Sequence, residues 1–305
     1  MIRFLGRRLL LMIPTLWVIA TLTFFMMRLA PGGPFMSERE IPKEIKESIS
    51  RKYGLDKPLP VQYARFLGNL VRLDFGPSYK NPSRTVREII AGSFPISLEL
   101  GAYALLLALG IGIPIGVIAA LKQNSVTDHA AMSAALFGVS LPDFLLGPLL
   151  VFVFSLNLFW FPPALWEGWS SKILPAITLG SVYVAYVARL TRGGMLEVIR
   201  QDYIRTARAK GLSEPVVVVR HALKGALLPV VSFLGPAAAR LVTGSIVVEK
   251  IFAIPGLGRY FVDGAFNRDY TLVMGVVLFY ATFLILLNLL VDVLYSVLDP
   301  RVELS

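Results

Sequence analysis

Six long apolar stretches, spread along almost the whole chain, constrain this sequence more than any other feature. With uncertain ends they are Leu9 to Met27, Ile96 to Leu121, Ala131 to Leu158, Ile173 to Ala188, Leu227 to Val248 and Val273 to Leu298. A membrane span needs about 20 mostly apolar residues, because roughly 30 Å of hydrocarbon is crossed at about 1.5 Å per residue. All six qualify, the fourth being the shortest. Composition agrees: 55% of the 305 residues are hydrophobic and only 16% charged, more apolar surface than a soluble core of this size hides. The sequence therefore predicts an all-α, polytopic membrane protein with six transmembrane helices.

The first stretch follows Arg3, Arg7 and Arg8, as a secretory signal would. Its apolar run exceeds the usual length of a signal core, and no clear small-x-small cleavage site follows, so it reads as a retained helix. Orientation follows from where Lys and Arg gather in short loops. Eight basic residues (Arg189, Arg192, Arg200, Arg205, Arg208, Lys210, Arg220 and Lys224) lie between Arg189 and Ala226, against Glu197, Asp202 and Glu214. Six spans put this loop and both termini on one side, the cytoplasm. The formal charge of +10 is then better placed against anionic lipid or an acidic partner than against nucleic acid.

The organisation expected is a cytoplasmic N-terminus and first span over 1–28, an extracytoplasmic helical subdomain over 29–95, a transmembrane core over 96–298 and a short cytoplasmic tail over 299–305. In the subdomain, Ile41, Ile45, Ile49 and Tyr53 recur at helical spacing and Gly54 stands where a left-handed cap would end the helix. A second helix follows Pro60 with Tyr63, Leu67 and Leu70 on one face. "DFGPS", Asp74 to Ser78, supplies a turn, and Thr85 to Phe94 leads helically into the second span.

The cytoplasmic loop 189–226 has a pattern of its own. From Met195 to Lys210 the residues Leu196, Ile199, Tyr203 and Ala207 make a narrow apolar stripe, with Arg200, Arg205 and Arg208 away from its centre. Gly211 permits the positive φ that ends a helix, Ser213 can cap the next, and Pro215 suits a first turn. A helix, a sharp turn and a second helix running into the fifth span form a rigid corner. Physical pattern alone leaves two uses open for it: cations resting on lipid phosphates, or a protein-docking corner.

"RTARAKGL" at Arg205 to Leu212, followed by "RHALKGALLP" at Arg220 to Pro229, resembles the cytoplasmic loop of permease subunits of bacterial ABC importers in the oligopeptide/dipeptide/nickel family. The likeness extends through "FMMRLAPGGPF", "GLDKPLPVQY", "DFGPS", "IPGLGRYFVDGAFNRDY" and "DVLYSVLDPR", and is strongest to the B-type permeases of oligopeptide importers. The wider class carries Glu-Ala-Ala, three residues, Gly, nine residues, Ile-x-Leu-Pro; this chain has Arg205, Thr206 and Ala207 at the first three places, and 18 residues (229 − 211) separate Gly211 from Pro229. The departure favours the peptide branch and removes the contact a Glu would make. The resemblance implies a type I ABC importer permease fold and a corner, Arg205, Thr206, Ala207, Arg208, Ala209, Lys210, Gly211, Leu212 and Ser213, that sits in a groove of a separate ATP-binding subunit. It further implies a second homologous permease, two cytoplasmic ATPases and an extracytoplasmic peptide-binding protein as partners. Function would be the ATP-driven import of oligopeptides across the bacterial cytoplasmic membrane, the alternatives being dipeptides, glutathione or nickel chelates.

No chemistry of the chain's own is indicated. "GxxxxGK[ST]" does not occur, so no cofactor is expected here, ATP and Mg belonging to the partner subunits. "GIGIPIG" fails the dinucleotide spacing, and its Gly112 and Gly116 suit a close helix-packing face. His129 and His221 belong to no HExxH, and with no cysteine there is no thiolate metal site, so no metal is expected. An intramembrane aspartyl enzyme would need facing aspartates; Asp143 and Asp292 lie in apolar surroundings but in no GxGD context. A stand-alone carrier or channel would usually show paired inverted repeats, which are not evident.

Charges inside spans cost at least about 2.5 to 3.5 kcal/mol on insertion scales and require a reason. Arg240 is central in the fifth span among Gly235, Ala237, Ala238, Ala239 and Gly244. Either it faces a watered translocation pathway or it forms an intramembrane ion pair with Glu99, Asp143 or Asp292. Pro114, Pro142, Pro148 and Pro229 are candidate kinks. The extracytoplasmic loop 249–272 mixes aromatics with Pro255, Gly256 and Gly258, a plain turn by composition, a periplasmic gate element by resemblance.

Overall fold

The computed structural model describes residues 2–29, 51, 54–243 and 245–298, with side chains left undescribed at 2–5, 292 and 294–298. Ile41, Ile45, Ile49 and Tyr53, and the tail 299–305, lie outside these residues. Helix α1 is Ile2–Leu29, α2 Leu59–Val71, α3 Val86–Leu121, α4 Val126–Ser140 and α5 Asp143–Leu150, which continues as a π-helical turn Val151–Asn157. Helix α6 is Ile173–Val198 and α7 Asp202–Ala209; α8 is Glu214–Val216, prolonged by a π-helical turn Val217–Ala222 and by Leu223–Ala226. Helices α9, Leu228–Thr243, α10, Ile246–Ile251, α11, Leu257–Phe266, and α12, Tyr270–Leu298, complete the order.

Five helical stretches among the described residues are long and apolar enough to span a bilayer: 6–29, 86–121, 170–198, 228–251 and 270–291. The sixth expected span, Ala131 to Leu158, is not one straight helix. It is the pair α4 and α5, bent by 105°. The break has a covalent cause. Leu141 precedes Pro142, whose ring disfavours helical dihedrals in the residue before it, and Leu141 is extended at φ −87°, ψ 117° while Pro142 opens α5. Of the four candidate kinks, Pro142 stands at this bend, Pro114 lies within the unbroken α3, Pro148 inside α5 and Pro229 in the first turn of α9.

Helix α3 starts ten residues before the apolar run because of its cap. Thr85 Oγ1 accepts from the Glu88 amide at 3.2 Å while the Glu88 carboxylate accepts from the Thr85 amide at 3.0 Å, a reciprocal pair that satisfies two donors left free at a helix start. Along its length α3 packs closely on α6. A Cβ at Gly112 would lie 2.8 Å from the Val184 carbonyl oxygen, and one at Gly180 2.9 Å from that of Ala104. Backbones approach here because nothing stands between them, the close-packed face that Gly112 and Gly116 predict.

Outside the bundle, α2 lies where the sequence places it. Its Tyr63 and Phe66 pack on Phe24 of α1, and Tyr63 shares a hydrogen bond with Thr21 at 2.6 Å. "DFGPS" turns as expected: Gly76 has φ +76° and its amide donates to the Asp74 carboxylate at 2.9 Å. Buried Asp269, just before α12, then gathers this loop by accepting from Ser78 Oγ, the amides of Tyr79 (3.1 Å) and Lys80 (3.2 Å) and Thr271 Oγ1 (3.0 Å).

Candidate functional site

The corner between α6 and α9 is built from a small apolar core with its polar residues turned out. Ile204, Val217, Ala222 and Ala226 are fully buried, together with Met195 of α6, and Ala120 of α3 joins them. Helix α6 does not run on to Lys210 as the stripe suggested. It ends at Val198, and after Ile199 to Gln201 the chain restarts as α7, with Gln201 extended at ψ 150°. That break rotates the stripe: Ile204 and Ala207 face inward, while Tyr203 is half-exposed.

The turn itself is held at both sides. Gly211 has φ +79°, and a Cβ there would meet nothing within 4 Å, so the backbone conformation and not lack of space calls for glycine. Ser213 opens α8 in extended conformation without a side-chain cap bond, and Pro215 stands in its first turn. Across the bend the Arg208 guanidinium donates to both carboxylate oxygens of Glu214, Nε to Oε2 at 3.0 Å and Nη2 to Oε1 at 2.6 Å. These hydrogen bonds hold the Glu214 carboxyl below the usual carboxylate range and raise the guanidinium. Arg205, Thr206, Arg208, Ala209, Lys210, Gly211, Leu212 and Ser213 all reach the surface, with Leu212 a large apolar group at the tip. Ala207 is the exception and belongs to the inner packing. The arrangement is a basic, partly apolar surface turn seated on a buried apolar core, with no catalytic constellation among its residues.

The membrane-embedded candidates do not form one cluster. Glu99 accepts from Trp166 Nε1 at 3.0 Å and from Tyr103 at 3.0 Å, and pairs with Lys172, whose ammonium lies 5.2 Å from the Trp166 ring centre. An ion pair between Glu99 and Arg240 is therefore not formed. Arg240 is exposed on α9, and no carboxylate among the described residues reaches it within 4.0 Å. Asp143, first residue of α5, has one carboxylate oxygen buried without a hydrogen-bond partner among the described residues. The Asp292 side chain lies outside the described residues.

At the opposite end from the corner, the loop 249–272 is more than a turn. Its middle is helix α11, and the residue that organises it is Glu249, fully buried. The Glu249 carboxylate accepts from Ser245 Oγ at 2.5 Å and from the Arg259 amide in the first turn of α11 at 3.1 Å, while the Leu257 amide donates to Ser97 Oγ of α3 at 2.9 Å. Gly256 and Gly258 stand against that carboxylate; a Cβ at Gly258 would come within 2.7 Å of the Ile246 backbone. Pro255 is exposed beside them. Sequence reading found the glycines but not Glu249. Its one signal was a carboxylate at the end of an apolar run, where an acid is ordinarily taken as solvated. Also missed was the Asp128–Arg192 pair, bidentate at 2.6 and 2.7 Å, which ties the start of α4 to α6 two turns above the corner.

Comparison with known proteins places this architecture. Residues 112–304 match the family "Binding-protein-dependent transport system inner membrane component", and residues 1–101 match its N-terminal companion, "Binding-prot-dependent transport system membrane comp, N-term". The oligopeptide transport system permease protein OppB of Salmonella typhimurium is 50% identical over 305 residues, covering 99% of this chain and 100% of that one. The dipeptide transport system permease protein DppB of Bacillus subtilis is 46% identical, covering 100% of this chain and 99% of its own. Among solved structures, the MetNI methionine ABC transporter in inward-facing conformations aligns with a TM-score of 0.59 at 16% identity, over 69% of this chain and 96% of that chain, a likeness of fold. With its long apolar helices, its projecting corner and matches along nearly its whole length, the chain is a multi-pass inner-membrane protein belonging to the binding-protein-dependent transport system inner membrane component family.

Proposed function

We propose that this chain is the permease subunit of an ATP-driven importer of oligopeptides, coupled through the corner at Arg205 to Ser213 to separate ATPase subunits. Full-length identity of 50% to an oligopeptide permease is the observation that carries the substrate class. The corner carries the mechanism. Its apolar core, the Arg208–Glu214 clasp and the glycine turn make a body that moves as a unit, so closure of a partner on nucleotide is passed to α6 and α9 without being absorbed.

In this reading a second, homologous permease completes the pathway, two cytoplasmic ATPases hold ATP and Mg, and an extracytoplasmic binding protein delivers the peptide. Both termini and the corner are cytoplasmic, which the basic loop 189–226 supports. The segments at 29–95 and 249–272 then face the periplasm. Exposed Arg240 and the partnerless oxygen of Asp143 are the polar groups offered to the pathway. Pro255, Gly256 and Gly258 form the periplasmic gate element, braced by Glu249. ATP binding favours the outward-open state and hydrolysis the inward-open one, a population shift imposed through the corner.

Absence of cysteine makes the test direct. A single cysteine replaces Ala209, and each ATPase subunit carries one in its docking groove. The expected result is a cross-link whose yield changes when ATP is added. No cross-link from any position between 206 and 213, in folded and membrane-inserted protein, would leave the corner lying on lipid and overturn the coupling role.

A further inference from the structure

Helix α1 lies mainly along α12 and against α2, not against α3. Helix α3 meets α12 separately, through Phe94 stacked edge-on against Phe279 and Phe283 at 4.7 and 4.9 Å. The two contacts leave a wedge between α1, α3 and α12, with a cavity volume of about 640 Å³, in the range of roughly 300–1,000 Å³ typical of ligand sites. Leu16, Ile90, Phe94, Leu278 and Phe279 line its depth. Arg72, at the end of α2, and Arg87, in the first turn of α3, stand at its mouth, and among the described residues no carboxylate lines it.

The wedge has the dimensions of one leaflet. Along α3 its lining runs from Arg87 to Pro95, 8 residues (95 − 87) or about 12 Å at 1.5 Å per residue, most of a half-bilayer of about 15 Å. Beside it, α1 turns large apolar side chains outward, Ile13 at 66% and Trp17 at 53% exposure, as a lipid-facing helix does. An apolar slot one leaflet deep with two guanidinium groups at the wet end matches a single class of molecule. Guanidinium favours phosphate oxygens, in bidentate geometry where it can, and a hydrocarbon chain fills the rest.

We propose that the wedge between α1, α3 and α12 binds one anionic phospholipid of the outer leaflet, its acyl chain between the helices and its phosphate on Arg72 and Arg87. The leaflet rests on the topology proposed above; the chemistry of the site does not. Such a lipid would mortar α1 and α2 to the α3–α12 core, where protein packing alone leaves a gap.

The test uses the assembled transporter in nanodiscs of phosphatidylethanolamine with phosphatidylglycerol. A photo-reactive amino acid replaces Ala91 in the wedge, and adducts are identified by mass. Lipid adducts are expected, with phosphatidylglycerol enriched above its share of the bilayer. Arg72→Gln and Arg87→Gln should each lower that enrichment about fivefold, from the roughly 1 kcal/mol that one basic residue contributes near an anionic surface. Adducts with residues 30–53 of this chain or with the neighbouring permease, or lipid adducts at the bilayer ratio in all variants, would overturn the site. A cysteine at Leu73, labelled from outside by an impermeant maleimide, tests the leaflet independently. Labelling from the cytoplasmic side alone overturns the leaflet and the topology together, whereas protein adducts with outside labelling overturn the lipid site alone.

Discussion

The two ends of the helix bundle solve opposite problems with opposite materials. At the corner, apolar residues are inside, and the charged ones, Arg205, Arg208, Lys210 and Glu214, are outside. At the other end two carboxylates are inside: Glu249 and Asp269 are buried at 0% and 1% exposure, and backbone amides and hydroxyls converge on them. A buried carboxylate that collects several donors fixes the segments that supply them, because losing any partner leaves a charge in a poor dielectric. A surface charge fixes little and is free to meet a partner. The contrast separates a braced closure from a docking projection.

Substitutions at the braced end should be the costliest. Gly256→Ala would drive a methyl group into the Glu249 carboxylate, and overpacking of this kind costs about 1 to 3 kcal/mol, here with lost hydrogen bonds added. A fall of several degrees in the melting temperature of the assembled complex, with loss of transport, is the expected outcome. A variant of unchanged stability would show that the joint is looser than its geometry and erase the contrast.

Gly211→Ala should cost less, about 1 to 2 kcal/mol from the left-handed backbone alone, since the space beside it is open. Its sharper effect should be functional: transport and peptide-stimulated ATP hydrolysis falling apart from one another while the subunits still assemble. Equal loss of both with normal assembly would indicate that the corner's shape is not what couples them.

The smallest effect belongs to the Arg208–Glu214 clasp. Glu214 is held below its ordinary pKa, so its contribution is complete above the ordinary carboxylate range and fades as pH falls through the lowered value. Because both groups are well exposed, only a few tenths of a kcal/mol is at stake. Glu214→Gln should lower stability near neutrality by those few tenths of a kcal/mol and match the parent once pH falls below the lowered value, which flattens the acid side of the stability profile. A large loss at neutral pH would mean that the corner is braced by charge, as the other end is.

Much of this was legible along the chain, for reasons that differ by element. Gly211, Pro215 and the "DFGPS" turn were readable because φ preference is local, set by the residue and its neighbours. The break at Leu141–Pro142 is also local chemistry, yet the apolar run passes across it unbroken and hydropathy alone draws one span. Leu196, Ile199 and Ala207 of the corner's stripe do pack inward, whereas Tyr203 is exposed and Ile204 takes the buried place, since the turn at Ile199 to Gln201 shifts the helical phase without interrupting the apolar pattern.

Span number, apolar character and the turn residues of the corner follow from the amino-acid order, because transfer into hydrocarbon and backbone preference are summed residue by residue. Which charges meet does not follow from it. Glu99 finds Lys172, Asp128 finds Arg192, and Glu249 finds the amide of Arg259, partners 73, 64 and 10 residues away. The packing of α3 and α4 on α6 and the fold of α11 onto the end of α10 decide them, since a Coulomb or hydrogen-bond energy depends on distances that sequence separation does not contain.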